Sequence, residues 1–279
     1  MGDYPVLYQH LSIGQMQASW NVRQLPKIVE IFSHFWGCEN EELLVSFDGA
    51  SFSPPPEVTN RGWGDRDKSW LHTDQSFMRN GLECIQSWVT ALDVNEDDAT
   101  LTFMEGSNKY HKEFAKKFNI TKESPLKDRS DWYVVGEKGE QFYLDKGCEY
   151  KKIKCPKGSL VFWDSRTIHS GSKAMKNRKH PNFRAVIYLC YTPRNGKSSS
   201  NVKSTSVKDD VFDLKPLICS DANIRKKQKA FKEIRSTNHH PCKIKLFSKE
   251  PYMRGKKLPK ITPIEQPRLT KLGKILAGF

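Results

Sequence analysis

Residues 70–75 read Trp70-Leu71-His72-Thr73-Asp74-Gln75. His72 and Asp74 are two apart, so in an extended segment both side chains project to one side and can reach a single metal ion. An imidazole and a carboxylate make two of the three ligands of the 2-His-1-carboxylate face, which holds non-haem Fe(II) and leaves positions open. The spacing is common by chance, so its meaning depends on a third ligand further along the chain.

His169 is the candidate. It follows an apolar run, Gly158-Ser159-Leu160-Val161-Phe162-Trp163, and the loop 164–168, and it precedes the small residues Ser170-Gly171-Ser172. The next apolar run opens with Phe183-Arg184 and continues through Leu189. A buried arginine at the head of such a strand needs an anionic partner, because an unpaired buried charge is costly. One strand over from a metal-bound His169, its planar fork could hold a substrate carboxylate through two hydrogen bonds. The competing reading is a hydrogen-bonded histidine beside a structural Arg–Asp pair.

Around these residues the chain has mainly a β signal. The runs 85–92, 100–104, 150–154, 159–163 and 184–192 are short, rich in β-branched and aromatic residues, and punctuated by Gly and Asp. Such runs predict a sandwich or barrel rather than alternating βα units. Upstream, Ile28, Val29, Phe32 and Phe35 share a helical face between Pro26 and Gly37. Leu43–Phe47 reads as a strand ended by Asp48-Gly49, and 51–67 as a loop containing three prolines. The charged stretch 108–147 reads as a helix followed by an irregular excursion, the size of a lid or substrate-facing insertion. Ser220 or Asp221 can cap a helix with Ile224, Phe231 and Ile234 on one face. Beyond His240, five prolines and many lysines suggest an extended tail wrapping the domain.

Taken together, these segments resemble the Fe(II)- and 2-oxoglutarate-dependent oxygenases, and within them the phytanoyl-CoA dioxygenase family. Gln86-Ser87-Trp88-Val89-Thr90-Ala91-Leu92 is similar to that family's strand after the H-x-D. Leu101-Thr102-Phe103-Met104-Glu105-Gly106-Ser107-Asn108-Lys109 is similar to its G-x-L-x-V-x-P-G-S-H-K segment, with Ala99 for the usual Gly, Glu105 for Pro and Asn108 for His. The stretches 157–172 and 183–193 match its distal histidine and arginine segments. The resemblance is strongest over residues 40–195.

That resemblance implies a mainly β fold with flanking helices and a double-stranded β-helix core, jelly-roll and cupin-like. It implies His72, Asp74 and His169 as iron ligands and Arg184 as the partner of the 2-oxoglutarate C5 carboxylate. Ser170 matches the small residue after the distal histidine, and Trp88 the co-substrate pocket. Gln75 either faces substrate or hydrogen-bonds a ligand. The cofactors implied are Fe(II), 2-oxoglutarate and O2, with ascorbate supportive. The implied reaction is a hydroxylation coupled to decarboxylation of 2-oxoglutarate to succinate and CO2. An intact Asp74 favours hydroxylation over halogenation, since halogenating relatives lack that carboxylate.

Composition bounds the alternatives. The chain has 279 residues, 37% hydrophobic and 11% aromatic, with seven Trp, which argues against disorder. Its longest apolar stretch, 185–191, is far below the roughly 20 residues of a membrane span. The start shows neither a secretory nor a myristoylation pattern. Seven cysteines without a C-x-x-C pair suit neither a disulfide framework nor a zinc site, and point to a reducing, intracellular, cytoplasmic setting. One domain spanning 1–279 is expected, with 196–279 a basic extension on the core.

The net charge of +14 is unevenly spread: residues 1–110 hold 7 Lys/Arg and 16 Asp/Glu, the rest 39 and 16. This asymmetry reads as a solvated lysine-rich surface, including Lys226, Lys227 and Lys229, that does not take part in catalysis. It would suit an anionic small-molecule substrate. A nucleic-acid partner is less favoured because aromatics are not interleaved with the lysines. An oxygenase acting on nucleic acid and a non-catalytic jelly-roll binding module are the remaining alternatives. Lys151–Lys154 reads as an exposed sheet edge. His239-His240 is not read as a metal pair, since adjacent side chains diverge, and Asp48 and Ser53 stay unassigned.

Overall fold

The computed structural model describes residues 7–59, 70–121, 131–196, 214–249 and 262–279. Its strands are β1 (Leu43–Val45), β2 (Ala50–Ser53), β3 (His72–Thr73), β4 (Ile85–Thr90), β5 (Thr100–Met104), β6 (Tyr133–Val134), β7 (Tyr150–Lys152), β8 (Leu160–Asp164), β9 (His169–Ser172) and β10 (Arg184–Pro193). The helices are α1 (Gln17–Arg23), α2 (Pro26–Trp36), α3 (Pro56–Thr59), α4 (His111–Lys117), α5 (Gly136–Asp145), α6 (Asp221–Lys232) and α7 (Lys271–Leu276). The fold is mainly β with flanking helices, as expected.

Two antiparallel five-stranded sheets face each other. The first runs β1-β10-β4-β8, with β2 also pairing β10; the second runs β6-β3-β9-β5-β7. β10 organises the first sheet because its apolar run is long enough to take three neighbours. It pairs β2 through Arg184–Ile187, β4 through Val186–Cys190 and β1 through Tyr191–Pro193.

Register decides which side chains face inward. Cα partners across antiparallel strands share a face, and alternate residues along a strand share it too. On the first sheet Arg184, Val186, Tyr188 and Cys190 of β10 lie with Gln86, Trp88 and Thr90 of β4, and with Val161 and Trp163 of β8. On the second sheet His72 of β3 pairs His169 of β9, and Phe103 and Leu101 of β5 pair His169 and Gly171. The inward faces meet through Gln86 and Asp74, whose side chains are hydrogen-bonded.

The outward faces are covered by helices. Trp20, Val29, Phe32 and Trp36 from α1 and α2 join Leu43, Val45, Leu189 and Tyr191 in one core, which α6 and α7 extend through Ala230 and Leu276. Trp36 Nε1 also donates to the Tyr191 carbonyl at 2.8 Å, which ties α2 to β10. α2 begins with Pro26 and ends at Gly37, whose φ of 62° is left-handed, the conformation glycine adopts most cheaply. Behind the second sheet, Phe114 of α4 packs with Phe77, Phe118, Phe142 and Tyr143. Truncating such a fully buried phenylalanine typically costs about 3–5 kcal/mol.

Several expectations need correction. The expected loop 51–67 begins as strand β2, because pairing with β10 outweighs the polar composition of Ser51–Ser53; its residues 60–67 lie outside the described residues. The expected strand 85–92 stops at Thr90, whose hydroxyl donates to the Leu92 carbonyl and turns the chain. Stretch 108–147 is more regular than expected, with α4, β6 and α5, although 122–130 are not described. Residues 250–261 of the proline-containing tail are also outside the described residues.

The clearest correction concerns α6. Ser220 caps it as expected, accepting from the Asn223 amide. Lys227, read as solvated, is only 1% exposed. Its ammonium donates to the Val45 carbonyl and sits 3.9 Å from the Phe47 ring centroid. Burial pushes its pKa down to about 7. The face of α6 that carries Ile224 and Phe231 therefore includes a lysine that apolar periodicity could not assign.

Candidate metal centre and its surroundings

β3 and the turn after it present the first two ligands. Asp74 and Gln75 donate their amides to the Ser165 carbonyl, at 3.2 and 3.1 Å, so the turn leaving β3 is fastened to the loop before β9. That bond brings the two ligand-bearing segments together. His72, Asp74 and His169 then place their ligand atoms within 4.8 Å of one another, and they are the only such group of three among the described residues.

The histidines are oriented from behind. His72 Nδ1 lies 3.0 Å from the Trp70 carbonyl, and His169 Nδ1 lies 2.8 Å from the Thr167 carbonyl. A carbonyl only accepts, so each Nδ1 carries the proton and each Nε2 presents its lone pair forward. His72 Nε2 lies 3.7 Å and His169 Nε2 3.4 Å from the Asp74 carboxylate oxygens. Burial, and then the neighbouring His169, lower the His72 pKa to about 4. Burial opposes ionisation of Asp74, but the adjacent His169 and His72 hold its carboxyl well below the usual range. Two imidazoles, each held from behind at Nδ1 with Nε2 turned inward, and one carboxylate converging in this way fit a divalent iron-like ion with open positions.

Gln86, unassigned from sequence, donates from Nε2 to Asp74 Oδ2 at 2.9 Å. Trp163, directly across from Gln86, lies 5.4 Å from the His169 ring. A second cluster sits further along β4 and β10. Arg184 is buried, with its guanidinium 5.6 Å from the Trp88 ring. Its hydrogen bonds are long, 3.2 Å to the Ala99 carbonyl and 3.4 Å to the Tyr188 hydroxyl, and among the described residues no carboxylate pairs with it. Tyr188 in turn meets the Ser51 hydroxyl at 2.9 Å. The Trp88 indole N–H is buried without a partner among the described residues. A weakly held guanidinium beside an idle N–H donor is a cradle for an anion.

Two expected site residues lie elsewhere. β9 alternation puts Ser170 on the face opposite His169, across from Thr102, so Ser170 points away from the ligand group. Gln75 is spent within the loop: its amide donates to the Arg79 and Gly81 carbonyls and accepts from Ser165 Oγ. His240 is buried and accepts from the Cys242 amide, away from any ligand role. The segment is pinned by Thr237, which exchanges hydrogen bonds with Phe47 at 2.9 and 3.0 Å. The seven cysteines are all free, and no helix among the described residues is long and apolar enough to cross a membrane.

Comparison with known proteins follows the same lines. A model of the phytanoyl-CoA dioxygenase family matches residues 10–179. "Ava biosynthesis cluster protein O" of Aspergillus versicolor is 27% identical over 187 residues, 66% of this chain. The match spans 57% of that relative's own length. Among solved structures, GlcNAc Inducible Gene 2 of Candida albicans aligns over 83% of this chain and 58% of its own, at 14% identity and a TM-score of 0.48. HygX of Streptomyces hygroscopicus, solved with nickel, 2-oxoglutarate and hygromycin B, aligns over 71% of this chain and 75% of its own. Its identity is 10% and its TM-score 0.40.

Proposed function

The chain belongs to the phytanoyl-CoA dioxygenase family, and on that premise we propose that it is an Fe(II)- and 2-oxoglutarate-dependent dioxygenase hydroxylating a small molecule. The observation that carries the reading is the convergence of two Nε2 lone pairs and one carboxylate on a single point, with both imidazoles fixed by backbone carbonyls.

His72, Asp74 and His169 would hold the iron. An iron held there would supply, with 2-oxoglutarate and O2, oxidative decarboxylation to succinate and CO2 coupled to hydroxylation of a substrate C–H bond. The chain's own contributions are positional. Gln86 fixes the Asp74 carboxylate through its 2.9 Å hydrogen bond. Arg184 would hold the distal carboxylate of 2-oxoglutarate, supported by its lack of any carboxylate partner among the described residues. The Trp88 N–H and the Tyr188 hydroxyl flank that position and can donate to the same anion. The Arg184 side chain reaches back along β10 to the Trp88 ring, and Trp88 is two residues from Gln86 on the same inward face, an advance of about 6.8 Å along the strand, on the scale of a five-carbon diacid. Free cysteines support an intracellular setting.

The test is succinate formation with Fe(II), 2-oxoglutarate and ascorbate against a broad metabolite library. Succinate is expected with wild-type protein and not with Asp74→Ala. Succinate formation that survives Asp74→Ala would contradict the assignment.

A further inference from the structure

Cys84, just before β4, and Cys190 of β10 are buried at 2% and 1% exposure, and their Sγ atoms lie 2.7 Å apart. A disulfide bond is about 2.05 Å long, so the two sulfurs need only a small approach to bond. Both thiols stand one residue behind the ligand Asp74. Cys190 is the cross-strand partner of Gln86, whose amide donates to Asp74 Oδ2 at 2.9 Å. The Cys84 carbonyl accepts from the Ser165 amide at 3.1 Å, and the Ser165 carbonyl accepts from the Asp74 amide at 3.2 Å. The thiol pair therefore sits where the side-chain tether and the backbone tether of Asp74 meet.

Burial decides which oxidant suits this pair. It raises the Cys84 thiol pKa, and a shielded thiol without thiolate character is inert toward dissolved peroxides and disulfides. An oxidising equivalent released at the metal group itself is not kept out by that shield. We propose that Cys84 and Cys190 are an oxidation site, a two-electron reservoir that closes to a disulfide when 2-oxoglutarate and O2 are consumed with no substrate bound. This inference rests on the reaction centre proposed above and adds to it the group that takes up the unused oxygen atom. The step balances. O2 takes four electrons, two from cleavage of the C1–C2 bond of 2-oxoglutarate and two from the sulfurs. One oxygen atom enters succinate, and the other leaves as water with the two thiol protons. Two S–H bonds break and one S–S bond forms, and the imidazoles of the ligand group are left unoxidised. Cys219 and Cys242 provide an internal comparison. They pack with Leu44 in a separate cluster, where Cys242 Sγ meets the Thr192 hydroxyl at 3.3 Å.

The experiment incubates the full chain with Fe(II) and 2-oxoglutarate in air, without substrate. The protein is then alkylated under denaturing conditions and digested without reductant, and succinate is measured alongside. The expected product is a Cys84–Cys190 cross-linked peptide, two hydrogens lighter than its reduced parts, which accumulates in step with succinate while Cys219 and Cys242 are recovered alkylated. The cross-link should be absent without O2, without 2-oxoglutarate and in Asp74→Ala. Cys190→Ala and Cys84→Ala each remove the bond, so either one that folds should instead gain oxygen on residues around the ligand group, severalfold above wild type. Succinate formed while Cys84 and Cys190 are both recovered alkylated would overturn the proposal. So would a cross-link that forms equally in Asp74→Ala, or equal closure of Cys219 with Cys242, since either places the oxidant in solvent. A wild-type protein that makes no succinate here or against the metabolite library overturns the proposed function, and this proposal then falls for that separate reason.

Discussion

Gln86→Leu isolates one bond at the metal group. Gln86 is buried on β4, and its backbone is held on both sides, by Trp163 of β8 and Cys190 of β10. Substitution by an isostere therefore removes the amide without moving the strand. What is lost is a 2.9 Å hydrogen bond to an ionised carboxylate. Bonds of this kind contribute about 1.5–3 kcal/mol, and partners that orient metal ligands typically matter by about 10–100-fold in affinity. The two estimates agree, because a tenfold change is about 1.4 kcal/mol. Calorimetric titration with Mn(II) should show a dissociation constant raised by about 10–100-fold, with stoichiometry still one. The metal-free protein should melt lower as well, because the Asp74 carboxylate loses its Gln86 donor. Gln86→Glu should bind metal-free Asp74 poorly as a neighbour, because a second carboxylate repels the first; its apo form should melt lower. If Gln86→Leu binds Mn(II) as tightly as wild type, Asp74 does not depend on this bond and the reasoning is wrong.

Arg184→Ala should weaken 2-oxoglutarate binding by about 30-fold or more while leaving Mn(II) binding intact, and Lys should rescue poorly because it lacks the planar fork; calorimetry with each ligand checks this. Lys227→Met should flatten the alkaline limb of the stability profile. In wild type the unfolded ammonium keeps its proton up to about 10.5, whereas burial lowers the folded value to about 7. Stability therefore rises with pH between those values, by about 5 kcal/mol in full, and paired melting curves at pH 7 and 9.5 read the difference. His111 is buried against the Phe77 ring at 4.4 Å, and burial lowers its pKa to about 4. The unfolded imidazole protonates first, near 6.5, so stability falls as pH drops from 6.5 toward 4. His111→Phe should lose that part of the acid sensitivity, up to about 3 kcal/mol, as read by denaturant melts at pH 7 and 4.5.

The ligand residues were legible because an H-x-D in extended chain has a fixed geometry and His169 follows a strongly apolar strand. Long strands such as β10 were legible for the same reason. Short strands were not: β3 is two residues, and β9 is His-Ser-Gly-Ser, so neither carries a period of its own. Their pairing comes from neighbours distant in sequence. The same holds for β2, which forms because β10 offers an open edge. The match of Ser170 to the small residue after the distal histidine said nothing of its face, and only the register puts it opposite His169 on β9. Gln75 was undecidable, since only the folded loop shows that its amide is consumed. Gln86 needed the opposite sheet. Lys227 looked like its solvated neighbours Lys226 and Lys229, and only the packing of α6 against β1 separates them.

The central claim is that His72, Asp74 and His169 form one metal-binding group. Electron paramagnetic resonance of Mn(II) titrated into the metal-free protein counts bound ion directly, because free and bound Mn(II) differ in signal. The account predicts one Mn(II) per chain in wild type and none held with comparable affinity in His72→Ala, Asp74→Ala or His169→Ala, each variant still melting cooperatively. One Mn(II) bound with undiminished affinity by any of these three folded variants would contradict it.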